Sequence, residues 1–241
     1  MFSLNLWYIR AIIPFSVLIL FKVVPKDLLI GSNSSINRNT MNFLSIDCST
    51  DNGSLFIKIK NKTFHKNLQS DKSNIDLLVK HILDFLKEKN LQFEDISTIF
   101  VNQGPGNFSG LRGSLAAAKG MCLAKNLNLL GYNTFIWSCA KFFNKEDSIF
   151  SIIKFRERYF VKKFDRKLNS NNKVEELTDD EVIKKYHNKF KVIPKNELKD
   201  FNKKILKLNN LNVVDLDHNQ LEFLQLKGLL DKNSIKPLYL S

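Results

Sequence analysis

Residues 101–120 read VNQGPGNFSGLRGSLAAAKG, and they hold five of the nine glycines in a chain of 241 residues. An apolar run, a glycine-rich turn and a helical pattern make the general design of an anion site. The first N–H groups of a helix have no intrahelical acceptor and point at whatever precedes them. Gly104, Pro105, Gly106, Gly110 and Arg112 therefore form a candidate structural loop. The spacing departs from the familiar phosphate motifs. Gly110 is followed by Leu111 and Arg112, not by Lys and Ser or Thr, and the glycine spacing is not that of the dinucleotide fingerprint. A second polar constellation is IDCST, in which Asp47, Ser49 and Thr50 could retain part of a phosphate loop and are the candidates for cofactor binding. A hairpin turn capped by polar side chains is the simpler reading of them.

Other chemistry is sparse. The four histidines, His65, His81, His187 and His218, are scattered, and no two stand at metal-ligand spacing. Cys48, Cys122 and Cys139 form no CxxC pair and read as small buried hydrophobes in a reducing compartment. No catalytic residue and no metal site is expected. The net charge of +13 is spread along the chain, without a stripe of basic residues interleaved with aromatics. It reads as a solvated basic surface rather than a dedicated nucleic-acid face.

These residues need elements to position them. FLSIDCS and GSLFIKIKN, separated by DNG, read as a β-hairpin. Ile75, Leu78, Val79, Ile82 and Leu86 recur at helical spacing. DISTIFVNQ reads as a buried strand, followed by a helix from about 109 to 125, a strand in LNLLGYN and a helix in TFIWSCAKFF. Beyond residue 148, SIFSIIKF and RYFVKKFD read as a strand pair and TDDEVIKKYH as a helix with acidic residues at its start. Strands and connections follow, then a last helix in NQLEFLQLKGLLDK, with Gly228 inside it. Strands alternating with helices predict α/β, with mixed sheets and crossover helices. No internal repeat stands at a fixed period.

The helix after the glycine turn carries two stripes. Leu111, Leu115, Ala118 and Cys122 share one side, fit to lie on a sheet. Gly113, Ala117, Gly120 and Ala124 repeat the same spacing nearly opposite, and only small side chains occupy them. Glycine inside a helix costs about 0.5–1 kcal/mol relative to alanine, so close packing must offset it. Either the helix at 75–88 covers this stripe, or both helices form a docking face for another subunit. The candidate interface is then Ile75, Leu78, Val79, Ile82, Gly113, Ala117, Gly120 and Ala124.

GPGNFSGLRGSLAAAKGMCLAKNLNLLG resembles the central segment of the TsaB (YeaZ) family, bacterial proteins of tRNA threonylcarbamoyladenosine biosynthesis. FLSIDCST, IIKFRERYF and KPLYLS are similar to three further segments of that family, so the likeness spans about residues 42–241. It implies the actin-like, sugar-kinase and Hsp70-like ATPase fold, with lobes at 41–147 and 148–241. It also implies a non-catalytic partner of TsaD, which with TsaE threonylcarbamoylates the tRNA adenosine beside the anticodon. The helix pair would form the heterodimer contact, tRNA would be met through the complex, and isolated chains could pair as homodimers through the same face. No cofactor of its own is implied, leaving a nucleotide at the junction with TsaD open, and the setting would be cytoplasmic. Thr134 and Ser138 stand where TsaD-like catalysis needs two histidines. Lys154-Phe155-Arg156 replaces the family's Asp-Ala-Arg, which puts any role of that aspartate in doubt. After Gly131 only Gly228 remains, so the second lobe has little bare backbone to bring to an adenosine. The competing readings are a nucleotide-binding kinase or ATPase of the same fold and a metallopeptidase-like hydrolase.

Residues 1–40 fall outside this frame. AIIPFSVLILF is too short to span a bilayer comfortably, and the polar linker GSNSSINRNT leads to Met41, where a globular unit begins. Inclusion of an upstream start codon, a membrane anchor and a targeting segment compete, and the first is preferred. Mass spectrometry of the native protein is expected to find a chain starting at Met41; a membrane-bound form that keeps Met1 is the opposite result.

Overall fold

The structure, a computed structural model, describes residues 41–68 and 77–240. These belong to one compact unit spanning Thr40–Ser241, built on two five-stranded sheets. The first contains β1 (Phe43–Asp47), β2 (Ser54–Ile59), β3 (Lys62–Asn67), β4 (Thr98–Asn102) and β5 (Asn128–Tyr132), ordered β3-β2-β1-β4-β5. Helices α1 (Leu78–Glu88) and α2 (Phe108–Lys125) are its crossovers, and α3 (Thr134–Cys139) leaves it. The second contains β6 (Ser148–Phe155), β7 (Arg158–Asp165), β8 (Glu175–Leu177), β9 (Lys191–Pro194) and β10 (Leu211–Val214), ordered β10-β9-β6-β7-β8. Its helices are α4 (Asp179–Tyr186), α5 (Lys203–Leu206) and α6 (Asn219–Leu226).

Both sheets begin with an antiparallel meander and finish with two parallel strands. The second therefore repeats the topology of the first, though no sequence repeat announces it. Topology follows the order of apolar runs and connections, and many sequences satisfy that order. The α/β class, mixed sheets and crossover helices are as expected. Two strands escaped the sequence pattern. β3 is a lysine-bearing edge strand with mostly exposed side chains, and β8 has three residues. Gly228 corrects the reading of the last helix: it lies beyond α6 at φ +70°, where chains commonly leave a helix.

Three apolar cores separate the layers. Leu44, Ile46, Ile99 and Val101 face α1 and α2, whereas Phe43 and Phe100 face the second sheet. There they share a core with Phe135 and Trp137 of α3, Ile149 and Ile153 of β6 and Leu221 and Leu224 of α6. Val182 of α4 and Ile205 of α5 close the far side of the second sheet. The three cysteines are free and buried, and desolvation pushes their thiols up, to about 12 for Cys48 and Cys139 and about 11 for Cys122. Among the described residues no helix is long and apolar enough to cross a membrane.

The glycine turn sets the position of α2. A Cβ built on Gly106 would stand 1.9 Å from the Ser49 carbonyl oxygen, and one on Gly110 would stand 2.2 Å from that of Cys48. Both glycines therefore let the start of α2 lie directly on the backbone of the turn after β1, where the Asn107 N–H donates to the Ser49 carbonyl at 2.7 Å. Gly120 is different, since a Cβ there meets nothing within 4 Å. In chemical unfolding, Gly106→Ala and Gly110→Ala are each expected to destabilise by about 1–3 kcal/mol through overpacking. Gly120→Ala is expected to stabilise by about 0.5–1 kcal/mol through helix propensity alone. Equal effects at all three positions would refute this assignment.

Candidate functional site

The polar residues at the carboxyl ends of β1 and β4 come together. Asn102 is fully buried, and its Nδ2, with two hydrogens to give, lies within hydrogen-bond distance of Asp47 Oδ1 (3.0 Å), Ser49 Oγ (3.3 Å) and Thr134 Oγ1 (3.2 Å). Its Oδ1 accepts from the Gly104 N–H at 2.8 Å, and the Ser49 N–H donates to Asp47 Oδ1 at 2.9 Å. Burial pushes the Asp47 carboxyl up, against the hydrogen bonds from Ser49 and Asn102. Thr50 caps its own turn, donating to the Asn52 carbonyl at 3.0 Å. The Ser109 and Gly110 N–H groups at the start of α2 donate to Asn107 Oδ1 at 3.0 and 3.3 Å. Asp47, Ser49 and Thr50 thus spend these hydrogen bonds inside the chain, as does the helix start beside them. The loop residues Gly104 and Pro105, joined by a cis peptide bond, lead into this arrangement. Arg112 stands away from it, exposed on α2, with its guanidinium carbon 5.1 Å from the Phe108 ring centroid.

A cleft of about 430 Å³ separates the two sheets at this point. Asp47, Thr50, Ser54 and His65 line one wall, and Lys195, Asp215 and His218 the other. Lys195 is engaged with Asp215 at 3.1 Å. Nearby, Glu197 accepts from the Lys154 N–H at 3.2 Å. Its carboxyl is pushed up to about 8, chiefly by desolvation, with Asp200 and Asp47 adding. His218, one of four histidines scattered along the sequence, is the buried link across the sheets. Its Nδ1 lies 3.0 Å from Ser45 Oγ and its Nε2 3.3 Å from Ser54 Oγ. The ring stacks on Phe56 at 5.0 Å and tilts against Trp137 at 4.8 Å. Desolvation lowers its pKa to about 3, with His65 adding, so the imidazole is neutral. Lys58 and Glu222 add an ion pair between β2 and α6.

Thr134 belongs to the Asn102 cluster, and Ser138 donates to the Phe135 carbonyl and lies 2.8 Å from Ser151 Oγ. Both are buried and serve the packing of α3. Among the described residues no group of three or more His, Cys, Asp or Glu could hold a metal ion. Lys154, Phe155 and Arg156 end β6 and begin its turn, and the Arg156 guanidinium carbon lies 5.3 Å from the Phe155 ring centroid.

The helix pair requires corrections. Leu78 and Ile82 are 1% and 0% exposed and face the sheet with Phe85 and Leu86, so they form core and not docking surface. The apolar residues turned outward are Leu77 (43% exposed), Val79 (43%) and Leu83 (51%), joined by Leu123 of α2 (86%). Of the candidate interface, Val79, Gly120 and Ala124 are exposed and Gly113 and Ala117 half-buried. Ile75 lies outside the described residues. Leu111, Leu115, Ala118 and Cys122 are buried as their spacing requires. The sequence did carry a signal for the missed residues. Leu77-Leu78-Val79 and Ile82-Leu83 are apolar runs too wide for one helical stripe.

Comparison with known proteins adds three findings. Residues 69–153 match the family model described as TsaD, tRNA N6-adenosine threonylcarbamoyltransferase. Over 84 residues the chain is 31% identical to the tRNA threonylcarbamoyladenosine biosynthesis protein TsaB of Buchnera aphidicola subsp. Baizongia pistaciae (strain Bp). That match covers 35% of this chain, and the chain spans only 38% of the length of that curated relative. Its fold is that of YeaZ from Pseudomonas aeruginosa, with a TM-score of 0.62 and 14% identity over 83% of this chain and all of the other. A second crystal structure, of an uncharacterized protein with similarity to peptidase YeaZ from Pseudomonas aeruginosa, gives 0.64 and 14% over 84% of this chain and all of that one.

The His218 environment makes stability depend on pH. Its folded pKa, about 3, lies below the ordinary value of 6.5, so between them the unfolded chain holds a proton that the folded chain lacks. Stability from this residue is complete above pH 6.5 and is lost as pH falls toward 3, at up to about 1.4 kcal/mol per pH unit. Denaturant titrations across this range are expected to show a shallower acid loss for His218→Asn than for the wild type. Parallel curves would assign the acid sensitivity to other groups.

Proposed function

We propose, taking the chain as a TsaB (YeaZ) family protein on its sequence match and shared fold, that it is the non-catalytic partner subunit of TsaD in tRNA threonylcarbamoylation. TsaD supplies the chemistry at the adenosine beside the anticodon, TsaE joins the pair, and tRNA meets the complex rather than this chain's cleft. In this reading any nucleotide sits at the junction with TsaD, the setting is cytoplasmic, and isolated chains pair through the face that TsaD would cover. The observation that carries the proposal is the apolar surface of α1 and α2. Leu77, Val79, Leu83 and Leu123 are 43–86% exposed, and Gly120 and Ala124 are exposed as well, while Leu78, Ile82, Phe85 and Leu86 of α1 and Leu111, Leu115 and Ala118 of α2 are buried against the sheet. Exposed apolar side chains concentrated on one helix pair mark an interaction site. The small residues beside it let a partner helix come close.

Co-expression with TsaD from the same cell tests the reading. Leu83→Lys, Leu123→Lys and Gly120→Leu are each expected to reduce recovery of TsaD at least tenfold. Their own unfolding midpoints should stay near that of the unsubstituted chain, because none of these positions faces the core. Normal recovery of TsaD by all three variants would sink the proposal, as would threonylcarbamoylation by this chain alone.

A further inference from the structure

Another side of α2 carries a second surface of different chemistry. Phe108 and Tyr239 are 55% and 52% exposed, yet their rings stack on each other at 5.4 Å and 29°. Arg112, one of six arginines in a lysine-rich chain, sits against the Phe108 ring. Further along the helix an open recess of about 310 Å³ is lined by Lys119, Lys232 and Lys236 with Asn233 and Ser234. At about 100° per residue, Phe108, Arg112 and Lys119 fall within about 40° of one another, over about 16 Å of helix. The segment opposite is held in place. Asp231 pairs with Gly131 through the backbone, Gln103 Nε2 donates to the Lys236 carbonyl at 3.0 Å, and the Leu238 N–H donates to the Gln103 carbonyl at 2.7 Å.

We propose that this strip binds single-stranded RNA, with bases stacking on Phe108 and Tyr239 and phosphates received by Arg112, Lys119, Lys232 and Lys236. Aromatic faces beside a cationic track are the physical requirement for single strands, because every base has a face to stack and every nucleotide a phosphate to neutralise. Residues 103–125 and 232–240 contain no acidic side chain. Among the described residues none of the four cations is paired with a carboxylate. Asp51, which Asn107 holds at 3.1 Å, and Asp231, next to Lys232, stand at the two ends of the strip. Aromatic rings and arginine also anchor protein interfaces, so recovery of TsaD by the strip variants is the measurement that separates the two occupants. At the same 100° per residue, Gly120 and Ala124 of the docking surface lie about 120° and 160° round the helix from Phe108, whereas Leu123, one turn beyond Lys119, borders the strip. The assignment deepens the tRNA reading above and rests on it only in choosing RNA over single-stranded DNA.

Fluorescence anisotropy of the full chain with labelled oligouridylate, at low and at physiological salt, tests the strip. Phe108→Ala and Tyr239→Ala are each expected to weaken binding about fivefold or more. Lys119→Glu with Lys236→Glu should weaken it at least tenfold and make its salt dependence shallower. Lys203→Glu, an equal charge change on α5 of the other sheet, should leave it unchanged. Phe108→Trp should bind at least as well as the wild type, which separates stacking from loss of fold. The proposal is overturned if the wild type fails to bind, if the strip variants bind normally, or if Lys203→Glu weakens binding as much. It is overturned in favour of a protein contact if the strip variants lose TsaD and keep the oligonucleotide. TsaD recovery measured on the same variants keeps the two proposals separable: retained TsaD with unaltered RNA binding removes the strip alone, and strip-dependent RNA binding without TsaD removes the docking reading alone.

Discussion

The start of α2 lies against the backbone of the turn after β1 with no side chain between them, and much of the molecule depends on that contact. Only hydrogen fits at Gly106 and Gly110, because carbonyl oxygens of Ser49 and Cys48 occupy the space of a Cβ. The approach brings Asn107 to cap the helix with its own side chain and to bind Ser49 through its N–H. It thereby closes on itself a turn that in outline could have cradled an anion. It also fixes the rotation of α2, so that Leu111, Leu115 and Ala118 enter the core and Gly120 and Leu123 are left outside.

Polar groups join the elements alongside the apolar core between the sheets. His218, neutral between two serines and stacked on Phe56, pins α6 to the first sheet. Asn102 ties together β1, α3 and the glycine turn with one side chain. On the second sheet the buried Lys191 ammonium lies within hydrogen-bond distance of four backbone carbonyls, those of Tyr186, His187, Lys189 and Asn209, and burial lowers its pKa to about 8. Buried polar groups that find their partners restrict the chain to one arrangement, since any displacement leaves them unsatisfied in a low-dielectric setting.

The two proposed surfaces use one helix twice. The face that holds Gly120 and Ala124 carries small side chains, fit for another helix. The flank toward the C-terminal segment is aromatic and cationic, fit for bases and phosphates. The net charge of +13 says little by itself, since it is spread along the chain. Its meaning is local, in the few cations that stand beside exposed rings without a carboxylate for company.

Much of the architecture was legible in the order of residues. Apolar runs of four to eight, helical spacing, the acidic residues at the start of α4 and the glycine turn marked most of the elements, because each rests on interactions between near neighbours in the chain. The two stripes of α2 were legible for the same reason. What only the tertiary structure decided were the long-range pairings. Which side of α1 meets the sheet was decided by the packing of Leu78, Ile82 and Phe85 together, where the sequence offered two apolar sides. His218 and Ser45 are 173 positions apart. Lys119 and Phe108 gain their meaning from Lys236 and Tyr239, more than a hundred residues later. Residue order sets the periodicity of each element, but burial, pKa and the company of a side chain depend on what the folded chain places beside it.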